Sequence, residues 1–142
     1  NDEDALPATD EEKAQAEKQA EENKDVLAFV KETLGDKIHE ARISKILKTG
    51  AVCLTTEGPI TLEMEKYFRR VDPEHSGDMR AQRVLELNPE SEAFAALRTA
   101  VDSDKEKAGV YAELLYNQAL LIAGLPLEDP VRYTQLVCSL MR

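Results

Sequence analysis

The sequence predicts an α+β domain in which helices pack against a small three-stranded sheet. Three observations lead to this fold class. Four stretches begin with residues that cap helices, three short stretches carry the apolar or β-branched residues typical of strands, and two apolar stretches close the chain. With 142 residues, of which 42% are hydrophobic, the chain has the size of one domain with its own core.

The first element is predicted to be one long helix. Thr9 and Glu12 have the spacing of a capping box, and Ala, Glu, Lys and Gln dominate from there to Leu34. Gly35 follows as a typical helix terminator. Only the carboxyl half carries many apolar residues, so we expect that half alone to pack on the core. We divide the chain into an acidic linker and helix start over residues 1–25 and a folded domain over residues 26–142.

The predicted sheet comes next. Residues 37–47 and 51–56 contain the apolar and β-branched residues typical of strands, and Thr49 and Gly50 supply a turn between them. We therefore predict that these two stretches pair with each other. Residues 83–87 are predicted to be the third strand.

Three more helices are predicted from their first residues, each of which combines a capping residue with a favourable first turn. The predicted starts are Asn88-Pro89, Ser103 with Glu106, and Asp129-Pro130. Gly124 is expected to end the second of these helices.

The two carboxyl-terminal stretches carry more apolar surface than isolated helices can expose. Residues 110–125 are apolar most of the way round, and residues 131–141 form only about three helical turns, which are marginal alone. We expect a second copy of the same pair to cover them across a two-fold axis. The residues expected at this dimer interface are Tyr111, Leu114, Leu115, Gln118, Leu121, Ile122, Leu125, Tyr133, Leu136, Val137 and Leu140.

Residues 60–71 contain an apolar stripe at helical spacing, and its members are Ile60, Met64, Tyr67, Phe68 and Val71. From periodicity alone, the stripe fits a helix that faces the core. It also fits an exposed helix that contacts other proteins, because Met and aromatic side chains make adaptable contacts.

Charge and the length of the apolar runs exclude two classes of partner, nucleic acid and membranes. The net charge is −10, and residues 1–25, with ten acidic and three basic residues, contribute −7 of it. No basic stripe is present to neutralise phosphates, so nucleic acid is not an expected partner. No apolar run approaches the roughly 18 residues of a membrane span, so we expect no membrane partner.

Residues that could carry chemistry are few. His39 and His75 have no carboxylate or Cys at catalytic spacing, and the six glycines form no phosphate-binding loop. Cys53 and Cys138 lack metal spacing and lie among apolar residues, as small core residues of a reducing compartment do. We therefore expect a cytoplasmic protein with no catalytic residue, cofactor-binding residue or metal ligand in this segment.

Several segments, taken in order, resemble the carboxyl-terminal domain of the heat-shock protein 90 chaperones, specifically their bacterial form. These segments are LGDKI (residues 34–38), CL (53–54), LEMEK (62–66), VLELNP (84–89), LLYNQALL (114–121) and LEDP (127–130). The resemblance is carried by the ordered set, which spreads over roughly residues 30–142.

The resemblance implies a homodimer in which the last two helices of each copy form a four-helix bundle. It also implies that the helix over residues 60–71 contacts unfolded or partly folded client proteins through Ile60, Met64, Tyr67 and Phe68. ATP and Mg belong to other domains of the parent chain in this family. The chain closes at Met141 and Arg142 without an acidic tail peptide, so tail-binding helical-repeat co-chaperones are not expected.

A rival interpretation is a stand-alone acidic helical adaptor that dimerises without any chaperone cycle. The sequence upstream of Asn1 in the full gene would separate the two, because middle and nucleotide-binding domains fit only the chaperone.

Overall fold

The computed structural model describes residues 9–44 and 50–141, which form six α-helices and one three-stranded mixed sheet. The predicted α+β class is therefore confirmed. In chain order the elements are α1 (Asp10–Glu22), α2 (Lys24–Leu34), β1 (Glu40–Ile43), β2 (Val52–Glu57), α3 (Leu62–Val71), β3 (Gln82–Leu87), α4 (Glu92–Ser103), α5 (Lys105–Ile122) and α6 (Pro130–Ser139). Short 3-10 turns occupy Gly35–Lys37 and Ser76–Met79.

The amino-terminal helix begins as predicted but is not continuous. The Thr9 hydroxyl accepts the Glu12 N–H at 3.0 Å and the Glu12 carboxylate accepts the Thr9 N–H at 3.2 Å, which confirms the capping box. At Asn23 the backbone leaves the helical region, with φ −114° and ψ 19°. The buried Asn23 side chain donates to the Gln19 carbonyl at 2.8 Å, and such local bonds compete with the helical ladder. One long helix thus becomes α1 and α2.

The sheet contains the three predicted strands in a different order. Strand β3 lies in the middle, parallel to β1 and antiparallel to β2, so the predicted pairing of the first two strands is wrong. Five of the six residues in β3 are buried, and a strand covered on both faces belongs in the centre of a sheet. The first strand covers only Glu40–Ile43, and the predicted turn residue Thr49 lies outside the described residues.

Two of the predicted helix starts are displaced by a few residues. Asn88 accepts the Glu90 N–H in a turn, and Ser91 is the residue that caps α4, so the helix does not begin at Pro89. The cap of α5 is Asp104, which accepts the Lys107 N–H at 3.2 Å. Gly124 follows α5 with φ +75°, and Asp129 caps α6 with Pro130 in its first turn, as predicted.

The core lies on one face of the sheet, between the strands and the helices α2, α4 and α5. Its fully covered members include Val30, Leu85, Leu97, Ala112 and Leu120. Helix α5 contributes seven buried residues and contacts α2, α4 and β2. Most of its apolar surface is therefore covered by its own chain, contrary to the expectation that a second copy supplies the main cover.

Candidate protein-interaction site

Helix α3 presents part of the predicted stripe to solvent. The Thr61 hydroxyl caps the helix by accepting the Met64 N–H at 3.1 Å, so Ile60 lies just before the first turn. Met64 is 40% exposed and Tyr67 is 52% exposed, whereas Ile60 and Phe68 are half-buried. Two of the four predicted contact residues are thus open to a partner.

The buried side of α3 is occupied by a carboxylate. Glu65 is 1% exposed, and it is the buried residue of this helix. Its Oε1 atom accepts the Ala81 N–H at 3.0 Å, and its Oε2 atom accepts from Arg83 Nη2 at 2.6 Å and from Arg69 Nη2 at 3.2 Å. This ionic contact therefore attaches the middle of α3 to the rest of the molecule, and the half-buried Leu62 packs against the core at the start of the helix.

Arg83 connects this carboxylate with the carboxyl-terminal helices. Its Nη1 atom donates to Tyr116 Oη at 2.8 Å and to Glu128 Oε2 at 3.1 Å. Arg80 Nη2 donates to the same Glu128 oxygen at 2.9 Å. We call Glu65, Arg80, Arg83, Tyr116 and Glu128 the Arg83 network. It joins α3, β3, α5 and the connector that precedes α6.

The network has a buried centre, made of Glu65, Arg83 and Tyr116, and an exposed edge, made of Arg80 and Glu128. Burial shapes the titration of the centre. Burial opposes the charged form of Arg83, but the hydrogen bonds and charges of Glu65 and Tyr116 raise the pKa of Arg83 above its ordinary value. Burial also raises the pKa of the Tyr116 phenol, against the opposing charge of Arg83. This site was not predicted from the sequence. The available signal was a predicted strand that begins with the basic Arg83 and carries the acidic Glu86 among its apolar residues.

Aromatic and cationic groups surround the exposed face of α3. The rings of Tyr67 and Phe68 meet edge to face, with centroids 5.6 Å apart and an interplanar angle of 75°. The Arg70 guanidinium carbon lies 5.9 Å from the Tyr67 ring centroid. Side chains of this kind supply the adaptable contacts that protein-binding surfaces use.

Helix α6 is attached to α5 by a two-point ion pair. Arg132 Nε and Nη2 donate to the two carboxylate oxygens of Glu113, each at 2.7 Å. These hydrogen bonds lower the pKa of Glu113, and the charge of Lys37 acts in the same direction. The buried Leu136 adds an apolar contact to the same helix.

The predicted dimer-interface residues fall into three groups. Four of them, Leu114, Leu115, Leu125 and Leu136, are buried by this chain itself. Three, Tyr111, Tyr133 and Val137, are half-buried. Four, Gln118, Leu121, Ile122 and Leu140, are exposed. The exposed group is the part of the predicted interface that a partner can reach without unfolding this chain.

The large hydrophobic side chains that remain exposed among the described residues are confined to two segments. Met64, Tyr67 and Val71 lie on α3, and Leu121, Ile122, Val131, Leu140 and Met141 lie at the end of α5, on α6 or just after it. Clustering of exposed apolar residues marks interaction surfaces in soluble domains. We call these segments the α3 surface and the carboxyl-terminal surface.

The other residues considered for chemistry are the two histidines and the two cysteines. His39 and His75 are exposed, with Glu57 and Asp72 as their respective carboxylate neighbours. Cys53 is half-buried, whereas Cys138 is exposed on α6, so the prediction that Cys138 is a core residue is wrong. Over residues 9–44 and 50–141, no cluster of three His, Cys, Asp or Glu has the geometry for a metal ion. Within the same ranges, no helix is both long enough and apolar enough to cross a membrane.

Comparison with known proteins identifies a family for the whole chain. The model of the Hsp90 protein family matches residues 1–142, a range that includes the stretch predicted to be a linker. A relative from Bacillus subtilis, named Chaperone protein HtpG, is 46% identical over 133 residues, which cover 94% of this chain and 21% of the relative.

Two further relatives carry the same name. The protein from Clostridium perfringens is 46% identical over 125 residues, covering 88% of this chain and 20% of the relative. The protein from Alkaliphilus metalliredigens is 45% identical over 119 residues, covering 84% and 19%. The chain thus spans about one fifth of the length of the curated relatives it matches.

Proposed function

The chain belongs to the Hsp90 protein family, and we propose that it is the carboxyl-terminal domain through which two copies of a chaperone join and contact client proteins. The confinement of exposed apolar side chains to two separate segments carries this proposal. One segment serves the second copy and the other serves clients. The parent protein would use ATP and Mg in other domains, and this segment would be non-catalytic.

The carboxyl-terminal surface is assigned to a second copy of the chain. Leu121 is 51% exposed and Ile122 is 67% exposed, next to the apolar residues of α6. Two such helix pairs that meet across a two-fold axis bury on the order of 1,200–2,000 Å² in total, which is the size of a standard specific interface. In this arrangement the paired α5 and α6 helices form the four-helix bundle that the family resemblance implies.

The α3 surface is assigned to clients. Unfolded proteins present aliphatic and aromatic side chains without a fixed order, and Met64 and Tyr67 offer contacts that adapt to such variety. The ionic attachment through Glu65 keeps these two residues pointing away from the core. A stand-alone adaptor would need the carboxyl-terminal surface but would have no use for this one.

Dimerisation is tested by sedimentation equilibrium of the 142-residue chain. Leu121→Asp with Ile122→Asp should convert a dimer into a monomer without loss of helical circular dichroism, because both side chains are exposed in the single chain. Gln135→Asp, at an exposed polar position of α6, is the matched control and should leave the dimer intact. A monomer at tens of micromolar for the unsubstituted chain would overturn this part of the proposal.

Client contact is tested by suppression of aggregation of an unfolded model protein. Met64→Ser with Tyr67→Ser should weaken suppression while the melting temperature stays nearly constant, because neither side chain is buried. Glu63→Gln, on the same helix and exposed, should have no effect. Equal suppression by the double variant and the unsubstituted chain would remove α3 from the client site and favour the adaptor.

A further inference from the structure

Helix α3 depends on the Arg83 network for its position. Its main packing partner is the 3-10 turn Ser76–Met79, which follows it directly in the chain. Its buried residue is Glu65, whose carboxylate receives both the Arg83 guanidinium and the Ala81 N–H. Leu62, at the first position of the helix, packs against the core. An isolated helix of ten residues is marginal, so the orientation of α3 depends on the polar attachment together with this apolar contact.

The same guanidinium also holds the connector before α6. Arg83 Nη2 contacts Glu65, and Arg83 Nη1 contacts Glu128, which immediately precedes the α6 cap Asp129. A guanidinium is planar and rigid, so its two ends cannot be reoriented independently. If Glu128 moves and the Arg83 guanidinium moves with it, the hydrogen-bond geometry between Arg83 and Glu65 changes as well.

Because Arg83 is buried, an arrangement in which it keeps only one of its two carboxylate partners is unfavourable. Arg83 is 3% exposed, and its Nε atom has no hydrogen-bond partner among the described residues. At the Glu65 end, water is thus poorly placed to replace a lost carboxylate, and a buried charge that loses this partner must find compensation inside the network. The ion pairs at the two ends of Arg83 are expected to form or loosen together.

From this arrangement we infer that Arg83 is a positioning residue that couples the orientation of α3 to the placement of the α5–α6 connector. If the carboxyl-terminal helices move when the dimer forms, this coupling would hold α3 more firmly or less firmly in its orientation. The biological role of this coupling rests on the proposed function, in which α6 contacts the second copy and α3 contacts clients. The physical coupling itself requires neither assignment.

The deciding variant is Glu128→Gln. Among the described residues, Glu128 forms hydrogen bonds with Arg80 and Arg83 and with no residue of α3, and its side chain is one-third exposed, at 33%. We expect hydrogen exchange of the α3 backbone amides to accelerate by at least about threefold, the smallest effect that corresponds to a measurable coupling energy. Glu106→Gln, at an exposed position in the first turn of α5, is the matched control and should not change α3 exchange.

Two further variants test the same coupling. Arg83→Lys preserves the charge but cannot reach two carboxylates with a planar fork, so it should accelerate exchange in both α3 and α6. Glu65→Gln with Glu128→Gln should be less than additive in α3 exchange, because either change alone disturbs the shared guanidinium. Unchanged α3 exchange in Glu128→Gln, full protection in Arg83→Lys, or strict additivity would each overturn the coupling.

Hydrogen exchange of α3 reports on the coupling whether or not clients bind there. Failure of the Met64 and Tyr67 variants to alter aggregation would reject the client assignment and leave the exchange result standing. Conversely, loss of the exchange effect would reject the role of Arg83 and leave client binding by α3 untouched.

Discussion

Arg83 and Glu65 form an ion pair with 2.6 Å between Nη2 and Oε2, and both side chains are only 2% exposed. The two residues lie 18 positions apart, on β3 and α3, so the pair joins elements that local sequence does not relate. Burial removes both charges from water, and the pair is maintained by the additional hydrogen bonds of Ala81, Arg69 and Tyr116.

Removal of one member of this pair should cost more than removal of both. Arg83→Met leaves Glu65 buried without its strongest partner, and we expect the free energy of unfolding to fall by about 3–5 kcal/mol. Arg83→Met with Glu65→Leu should lose less than Arg83→Met alone. Urea denaturation measures both, with Arg70→Met on the exposed face of α3 as a control that stays within about 0.5 kcal/mol. A double variant less stable than either single one would contradict the prediction.

The attachment of α6 should weaken in acid. The hydrogen bonds from Arg132 hold the pKa of Glu113 below its ordinary value of 4.5, so protons bind more tightly to the unfolded chain. The stabilisation is therefore present above pH 4.5 and is lost as the pH falls through the lower folded-state pKa. We expect the stability difference between the unsubstituted chain and Glu113→Gln to shrink over this range in urea titrations. A difference that stays constant down to pH 2 would contradict the role of this carboxylate.

The phenol of Tyr116 should report on the charges around it. Burial raises its pKa above 10.0, the Arg83 charge opposes this rise and the Glu128 charge adds to it. Glu128→Gln should therefore lower the pKa of Tyr116, as followed by carbon NMR of the tyrosine rings, with Tyr116→Phe to assign the signal. Glu106→Gln should leave the titration unchanged. A rise in the pKa of Tyr116 in Glu128→Gln would show that the hydrogen-bond geometry differs from the one described.

Replacing Asn23, which interrupts the helix between α1 and α2, should change the free energy of unfolding only slightly. The Asn23 Oδ1 atom is buried without a hydrogen-bond partner among the described residues, and Ala has the higher helix propensity. We expect Asn23→Ala to change the free energy of unfolding by no more than about 1 kcal/mol. Leu34→Ala, at a buried apolar position of α2, should cost about 2–5 kcal/mol and serves as the comparison. Equal losses in the two variants would mean that Asn23 has a packing role beyond its hydrogen bond.

Local signals predicted much of the secondary structure. The capping box of Thr9 and Glu12, the Asp129 cap before Pro130 and the glycine after α5 act over three or four residues, and the structure has all of them. The three strands were likewise found near their observed positions. The helix starts that moved, at Asn88 and Ser103, moved to capping residues only a few positions away.

Side-chain exposure could be predicted only in part. Alternation and helical spacing predicted that α3 has two different faces, yet they could not identify which face is covered. Glu65 is buried because Arg83 lies opposite it, and nothing within ten residues of Glu65 indicates this partner. Cys138 has apolar neighbours in sequence and is nevertheless exposed on α6.

The sequence by itself determined the fold class, the family resemblance and most helix ends, because these depend on contacts between residues close together in the chain or on an ordered set of motifs. Only the tertiary structure decided the central place of β3, the cover of α5 by its own chain and the Arg83 network. These features join residues far apart in sequence. Their free energies depend on which surfaces come into contact when the chain folds, and local propensity does not determine those contacts.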